Sequence, residues 1–118
     1  MKILIVEDEI LILKSLTKLL EKQGVDVTAT PSGRNAIELL KNNSFDRVIT
    51  DLMLQDISGF DILEEAKQYF SKHEIEQRFI IITAYSSPQV LAKAEEYRCR
   101  VINKPFTEIH KTIQEFIR

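Results

Sequence analysis

Five side chains in this sequence could together handle a phosphoryl group: the carboxylates of Glu7, Asp8 and Asp51, the hydroxyl of Thr83 and the ammonium of Lys104. Carboxylates held a few ångströms apart repel one another, and either protonation or a divalent cation relieves them. An oxygen-rich acidic cluster favours Mg²⁺, which keeps some of its water and takes one or two carboxylates plus phosphate oxygens. Around it, a lysine offsets charge on the transferring group and a hydroxyl donates to one of its oxygens. A carboxylate then serves as nucleophile and becomes an aspartyl phosphate. Each residue alone has a plainer explanation. Asp8 and Glu9 suit the start of a helix by its dipole, Thr83 suits a strand, and Lys104 suits a solvated surface. Their joint placement carries the argument.

That placement follows from the elements around them. Ile3-Leu4-Ile5-Val6 is an apolar run with no polar face, followed by Ile12, Leu13, Leu16, Leu19 and Leu20 at helical spacing up to Gly24. Residues 25–29 alternate like a half-covered edge strand, and Ser32 can cap a helix with Ala36, Ile37 and Leu40 inward. Residues 45–50 form a third strand ending at Asp51. After a turn holding Asp56, Ser58 and Gly59, a third helix follows with Phe60, Leu63, Ala66, Tyr69 and Phe70 on its apolar face. Residues 79–83 make the most apolar strand, and Ser87-Pro88 opens a fourth helix with Val90, Leu91, Ala94 and Tyr97 inward. Residues 71–77 read as a loop. Val101-Ile102 gives a fifth strand, and a last helix capped by Thr107 turns Ile109, Ile113, Phe116 and Ile117 inward.

Strands apolar on both faces need helices on both sides, and parallel strands need crossover helices. The expected fold is therefore α/β, a flavodoxin-like doubly wound five-stranded parallel sheet in the order 2-1-3-4-5 with five helices. Ligands bind outside the carboxyl ends of such strands. Glu7-Asp8, Asp51, Thr83 and Lys104 each close a separate strand, so they converge on one rim.

Composition bounds the rest. With 118 residues and 44% hydrophobic content, the chain reads as one domain, residues 1–118, with enough apolar surface for a core. A net charge of -2 without a basic block argues against direct nucleic-acid binding. The apolar run at residues 3–6 is too short for a signal peptide or membrane span, and the single Cys99 forms no internal disulfide. A cytoplasmic location is expected. His73 and His110 lack Cys or His partners at metal spacing and receive no functional role. The sequence ends at Arg118 inside its last helical pattern, which fits either a stand-alone protein or a piece of a longer one.

On Glu7-Asp8 after KILIV, Asp51 in TDLMLQDISG, Thr83-Ala84 after FIII, and Lys104-Pro105-Phe106, the chain resembles a response-regulator receiver domain of two-component signalling over its whole length. The resemblance implies that Asp51 accepts a phosphoryl group from a histidine kinase or phosphotransfer protein. It implies that Asp8, Asp51 and the backbone carbonyl of Met53 ligate Mg²⁺, with Glu7 helping through water. Thr83 would bind a phosphoryl oxygen, Lys104 would pair with the phosphoryl group or Asp51, and the Lys104-Pro105 bond would be cis. Catalysis would be confined to the domain's own phosphorylation and dephosphorylation. A downstream effector domain or target protein, or a dimer formed on phosphorylation, would read the change.

Three positions depart from the family. Gln55 replaces a usual proline, Val101 replaces the aromatic that turns inward on activation, and Met53 brings an apolar side chain near the site. The main rival is a haloacid-dehalogenase-type phosphohydrolase. It needs a second Asp two residues after the nucleophile, where this chain has Met53, and an acidic pair after the nucleophile rather than before it. A dinucleotide-binding domain fails at the first turn, which reads Glu-Asp-Glu in place of glycines. A receiver fold kept only for protein binding has no need of all five site residues.

Overall fold

A computed structural model describes residues 1–118. Five strands form one parallel sheet: β1 (Lys2–Val6), β2 (Asp26–Thr30), β3 (Arg47–Asp51), β4 (Phe79–Thr83) and β5 (Arg100–Asn103), in the order β2-β1-β3-β4-β5. Six helices connect and cover them: α1 (Ile10–Lys22), α2 (Gly33–Asn42), α3 (Gly59–Ala66), α4 (Lys72–Arg78), α5 (Pro88–Glu96) and α6 (Ile109–Ile117). The period-2 alternation of strand side chains splits the core in two. Ile3, Ile5, Ile49, Ile80 and Ile82 face α1 and α6, whereas Leu4, Val6, Val48, Phe79 and Ile81 pack against the helices of the other face. Burial of each such side chain contributes about 1.5–3 kcal/mol relative to exposure. The central strands are therefore the rigid base beneath the rim.

The helix starts follow local chemistry. Ser32 accepts from the Asn35 amide at 3.1 Å, and Ser87 from the Val90 amide at 3.2 Å with Pro88 at the first helical position. Ser58 and Asp61 form a reciprocal capping box for α3. Gly24 leaves α1 at φ 80°, a left-handed turn that glycine adopts without steric cost.

Several expectations need correction. There are six helices, because residues 71–77 are mostly helical: Ser71 and Glu74 make a capping box and Ile75 is buried. The third helix stops at Ala66, leaving Tyr69 exposed and Phe70 edge-on to Phe79 at 5.8 Å between ring centres. On α5 only Ala94 is buried, and Leu91 faces outward at 47% exposure. The helix α6 starts at Ile109, one residue later than a Thr107 cap would place it, so Glu108 takes the capping position without a side-chain bond and Thr107 lies outside it. The strand β3 starts at Arg47, though Phe45 is still buried.

Candidate functional site

Register brings the site residues together. In the parallel ladders Val6 pairs with Thr50 and Asp51 with Ile82, so β1, β3 and β4 end side by side. Glu7 and Asp8 follow directly from β1, Asp51 closes β3, Thr83 closes β4, and Lys104 follows β5. The Lys104 amide donates to the Thr83 carbonyl at 2.8 Å, which extends the β4–β5 pairing by one residue. The Lys104-Pro105 peptide bond is cis.

Lys104 is the hub. Its Nζ donates to Glu7 Oε1 at 2.7 Å and, at 3.2 Å each, to Asp51 Oδ2 and Glu9 Oε1. Glu7 is fully buried and Asp51 is 4% exposed. Burial pushes the Glu7 carboxyl up to about 7; the Lys104 hydrogen bond acts against that rise, and the Asp51 charge adds to it. Burial alone would lower the Lys104 pKa, but the Glu7 hydrogen bond and the Asp51 charge outweigh it and raise it. One ammonium thus serves three carboxylates.

Asp8 is left over. It is half-buried and has no ion pair, yet Glu7, Asp8 and Asp51 each offer an oxygen within 4.8 Å of the others. An all-oxygen donor set with an uncompensated carboxylate fits a hard divalent cation better than a soft one. The acidic cluster is thus a candidate metal site.

Around this cluster the remaining predicted residues sit differently. Met53 places its backbone beside Asp51, its amide donating to Asp51 Oδ1 at a long 3.4 Å, while its side chain is 59% exposed. Thr83 is fully buried, and its Oγ accepts from the Tyr85 amide at 2.9 Å, so its hydrogen bond runs to its own loop. His73 and His110 are exposed, on α4 and α6 respectively.

Two residues escaped the reading of the sequence. Glu9 was attributed to the start of α1, yet its carboxylate meets Lys104; the run Glu7-Asp8-Glu9 was the available signal. Asp56 was read only as part of a turn, yet it bonds to the start of α2, and no local pattern announces a contact across that separation.

A doubly wound parallel sheet with an acidic rim and a strand-end lysine defines the receiver class of protein. The response regulator receiver domain model matches residues 3–114, and the chain belongs to that family, whose members work in two-component signalling. The response regulator SaeR of Staphylococcus aureus is 32% identical over 110 residues, covering 89% of this chain and 44% of SaeR. The chain therefore spans less than half the length of that relative. Among solved structures, the non-phosphorylated HemR receiver domain from Leptospira biflexa is similar with a TM-score of 0.84 and 29% identity, covering 97% of this chain and 90% of that one. The receiver domain of the sensor histidine kinase PA1611 from Pseudomonas aeruginosa PAO1, solved with magnesium coordinated in its active-site cleft, has a TM-score of 0.78 at 21% identity. It covers 98% of this chain and 96% of that one, a likeness of fold. No helix is long and apolar enough to cross a membrane.

Proposed function

We propose that Asp51 is the phospho-acceptor of this receiver domain and that Mg²⁺ is its cofactor. The observation that supports this most directly is the pairing of a nearly buried Asp51 carboxylate with Lys104 at 3.2 Å beside the uncompensated Asp8. Asp8, Asp51 and the Met53 carbonyl would hold the cation, with Glu7 acting through water. When bound, it would offset negative charge on the phosphoryl oxygens.

The chain's own residues do the rest. An Asp51 carboxylate oxygen attacks phosphorus, forming the acyl phosphate O–P bond as the P–N bond to the donor histidine breaks, and the leaving imidazole regains its proton from solvent. Lys104 already donates to Asp51 Oδ2, so it orients the carboxylate and supplies positive charge where the product gains negative charge. Thr83, whose Oγ accepts from the Tyr85 amide, has its hydroxyl proton left to donate to a phosphoryl oxygen. A histidine kinase or phosphotransfer protein donates in the cytoplasm, and an effector domain or separate target responds. The domain, residues 1–118, catalyses only its own phosphorylation and dephosphorylation.

Incubation with Mg²⁺ and acetyl phosphate should add one phosphoryl group, labile to hydroxylamine as an acyl phosphate is. Asp51→Asn should abolish the addition. Mass spectrometry showing label at another residue in that variant overturns the assignment.

A further inference from the structure

The loop after Asp51 is closed at its neck. The Gly59 amide donates to the Leu52 carbonyl at 2.8 Å, and Met53 and Ser58 pair as an isolated antiparallel bridge. A Cβ on Gly59 would lie 2.8 Å from the Asp51 carbonyl oxygen, so the returning chain presses directly on the acceptor's backbone. Whatever fixes this loop therefore also fixes the surroundings of Asp51.

Beyond that neck, the loop is held by the packing of Leu54 and Ile57 against the core and by few polar contacts of its own. Gln55 is exposed, and a glutamine leaves φ unrestrained where a proline would lock it. The Met53 amide reaches Asp51 Oδ1 only at 3.4 Å. The external hold comes from Asp56. One of its oxygens accepts from the Ser32 hydroxyl at 2.8 Å and the Arg34 amide at 3.0 Å; the other accepts from the Gly33 and Ile57 amides, each at 3.0 Å. Ser32 meanwhile accepts from the Asn35 amide, so its oxygen caps α2 and its proton goes to Asp56. Next to this clamp a Cβ at Gly33 would lie 2.5 Å from Ile57 Cγ1 and 3.1 Å from Leu54 Cδ1. The first turn of α2 and the loop are thus both bonded and in closest contact.

An ionised carboxylate accepting several amide protons at a helix N-terminus gains from charge-assisted bonds and from the helix dipole together. A surface aspartate in an ordinary turn would need only its own neighbours. Here three of the four bonds cross 22 to 24 residues of sequence. The consequence is a loop whose apex is anchored to α2 and whose neck is anchored to Asp51.

We propose that Asp56 is a positioning residue for phosphorylation: by fastening residues 52–58 to the N-terminus of α2, it keeps the Met53 backbone in place beside Asp51. The proposal rests on the reading of Asp51 as phospho-acceptor with a cation at the same rim. Asp56 touches neither phosphoryl group nor cation; it acts through the loop.

The test compares the wild-type chain with Asp56→Ala and Asp56→Asn. In the metal-free proteins, amide hydrogen exchange should quicken at Met53 and Gly59 in Asp56→Ala, with Ile49 and Ile81 in the core unchanged. Mg²⁺, titrated alone and followed by the amide resonances of residues 51–54, should bind Asp56→Ala on the order of tenfold more weakly, the effect typical of removing a support behind a ligand. Asp56→Asn keeps one acceptor oxygen and trades the other for a donor, so its loss should be smaller. Wild-type exchange at Met53 together with wild-type Mg²⁺ affinity in Asp56→Ala overturns the proposal. If the wild-type chain itself neither binds Mg²⁺ at residues 51–54 nor takes a phosphoryl group from acetyl phosphate, it is the reading of Asp51 that fails.

Discussion

Glu7, Asp8, Asp51 and Lys104 were legible as a site because strand-end positions can be counted along an alternating sequence. What could not be counted was how the charges divide among them. Lys104 pairs with Glu7, Glu9 and Asp51, leaving Asp8 without a cation. Glu9 was missed because a residue just before a helix has a sufficient local explanation in the dipole, and its reach to Lys104 is a fact of tertiary structure. This division has a measurable consequence. Asp8→Ala removes one repelling charge without orphaning a partner, so the metal-free protein should gain about 1 kcal/mol of stability. With Mg²⁺ well above the wild-type Kd the order should reverse, because tighter binding stabilises more the chain that retains the carboxylate. Urea unfolding with and without Mg²⁺ measures both, and a metal-free Asp8→Ala chain clearly less stable than wild type would contradict the crowding of charge at this rim.

Elements were recovered where apolar periodicity was clear, with caps sharpening some of their ends, and lost where that periodicity was weak. The Ser32 and Ser87 caps and the five strands followed from pattern alone. The helix α4 was missed because its short sequence is largely polar, with only Ile75 buried, although Ser71 and Glu74 carry the capping-box spacing. Thr107 fits a cap by residue type, yet the backbone turns helical one residue later, after Glu108, which residue type does not favour. The clamp on α2 was invisible because its two halves lie in different units of the fold. It nevertheless carries a signed pH dependence. Desolvation raises the Asp56 pKa, but the Arg34, Ser32, Gly33 and Ile57 hydrogen bonds outweigh it and hold the carboxyl well below the usual range. A depressed folded value contributes stability that is complete above the unfolded value, about 3.9, and is lost as pH falls through the folded one. Asp56 is exposed, so solvent screening holds the contribution to about 1 kcal/mol or less. The stability difference between wild type and Asp56→Ala should therefore be constant from pH 5 to 7 and shrink below about 4. Urea midpoints across that range decide it, and a difference that grows on acidification would refute the clamp's charged character.

Across the whole molecule, a signal from the proposed acceptor Asp51 would reach the surface through side chains that can change places. Val101 at the centre of β5 is half-buried, small and nearly fixed about its first torsion, so it offers no aromatic swing. Thr83 offers an alternative, because its Oγ is the acceptor for the Tyr85 amide. A phosphoryl group on Asp51 that draws the Thr83 side chain toward itself would stretch that bond, and the loop holding the 66% exposed Tyr85 would shift with it. The loop leads directly into α5, whose far end is tied to α3: the Tyr97 hydroxyl donates to Glu64, its ring stacks with Phe60 at 6.1 Å, and Lys67 lies 4.9 Å over it. Movement is therefore expected at the amino end of α5, with the carboxyl end held by these contacts. Phosphorylation, or beryllofluoride as its mimic, should shift the amide resonances of Tyr85 and the first turn of α5 strongly, those near Tyr97 less, and those of α2 least. In Thr83→Ala the shifts at Tyr85 should weaken while Asp51 still accepts the phosphoryl group. Equal shifts in α2 and α5 would exclude a localised path, and an undiminished response in Thr83→Ala would remove Thr83 from it.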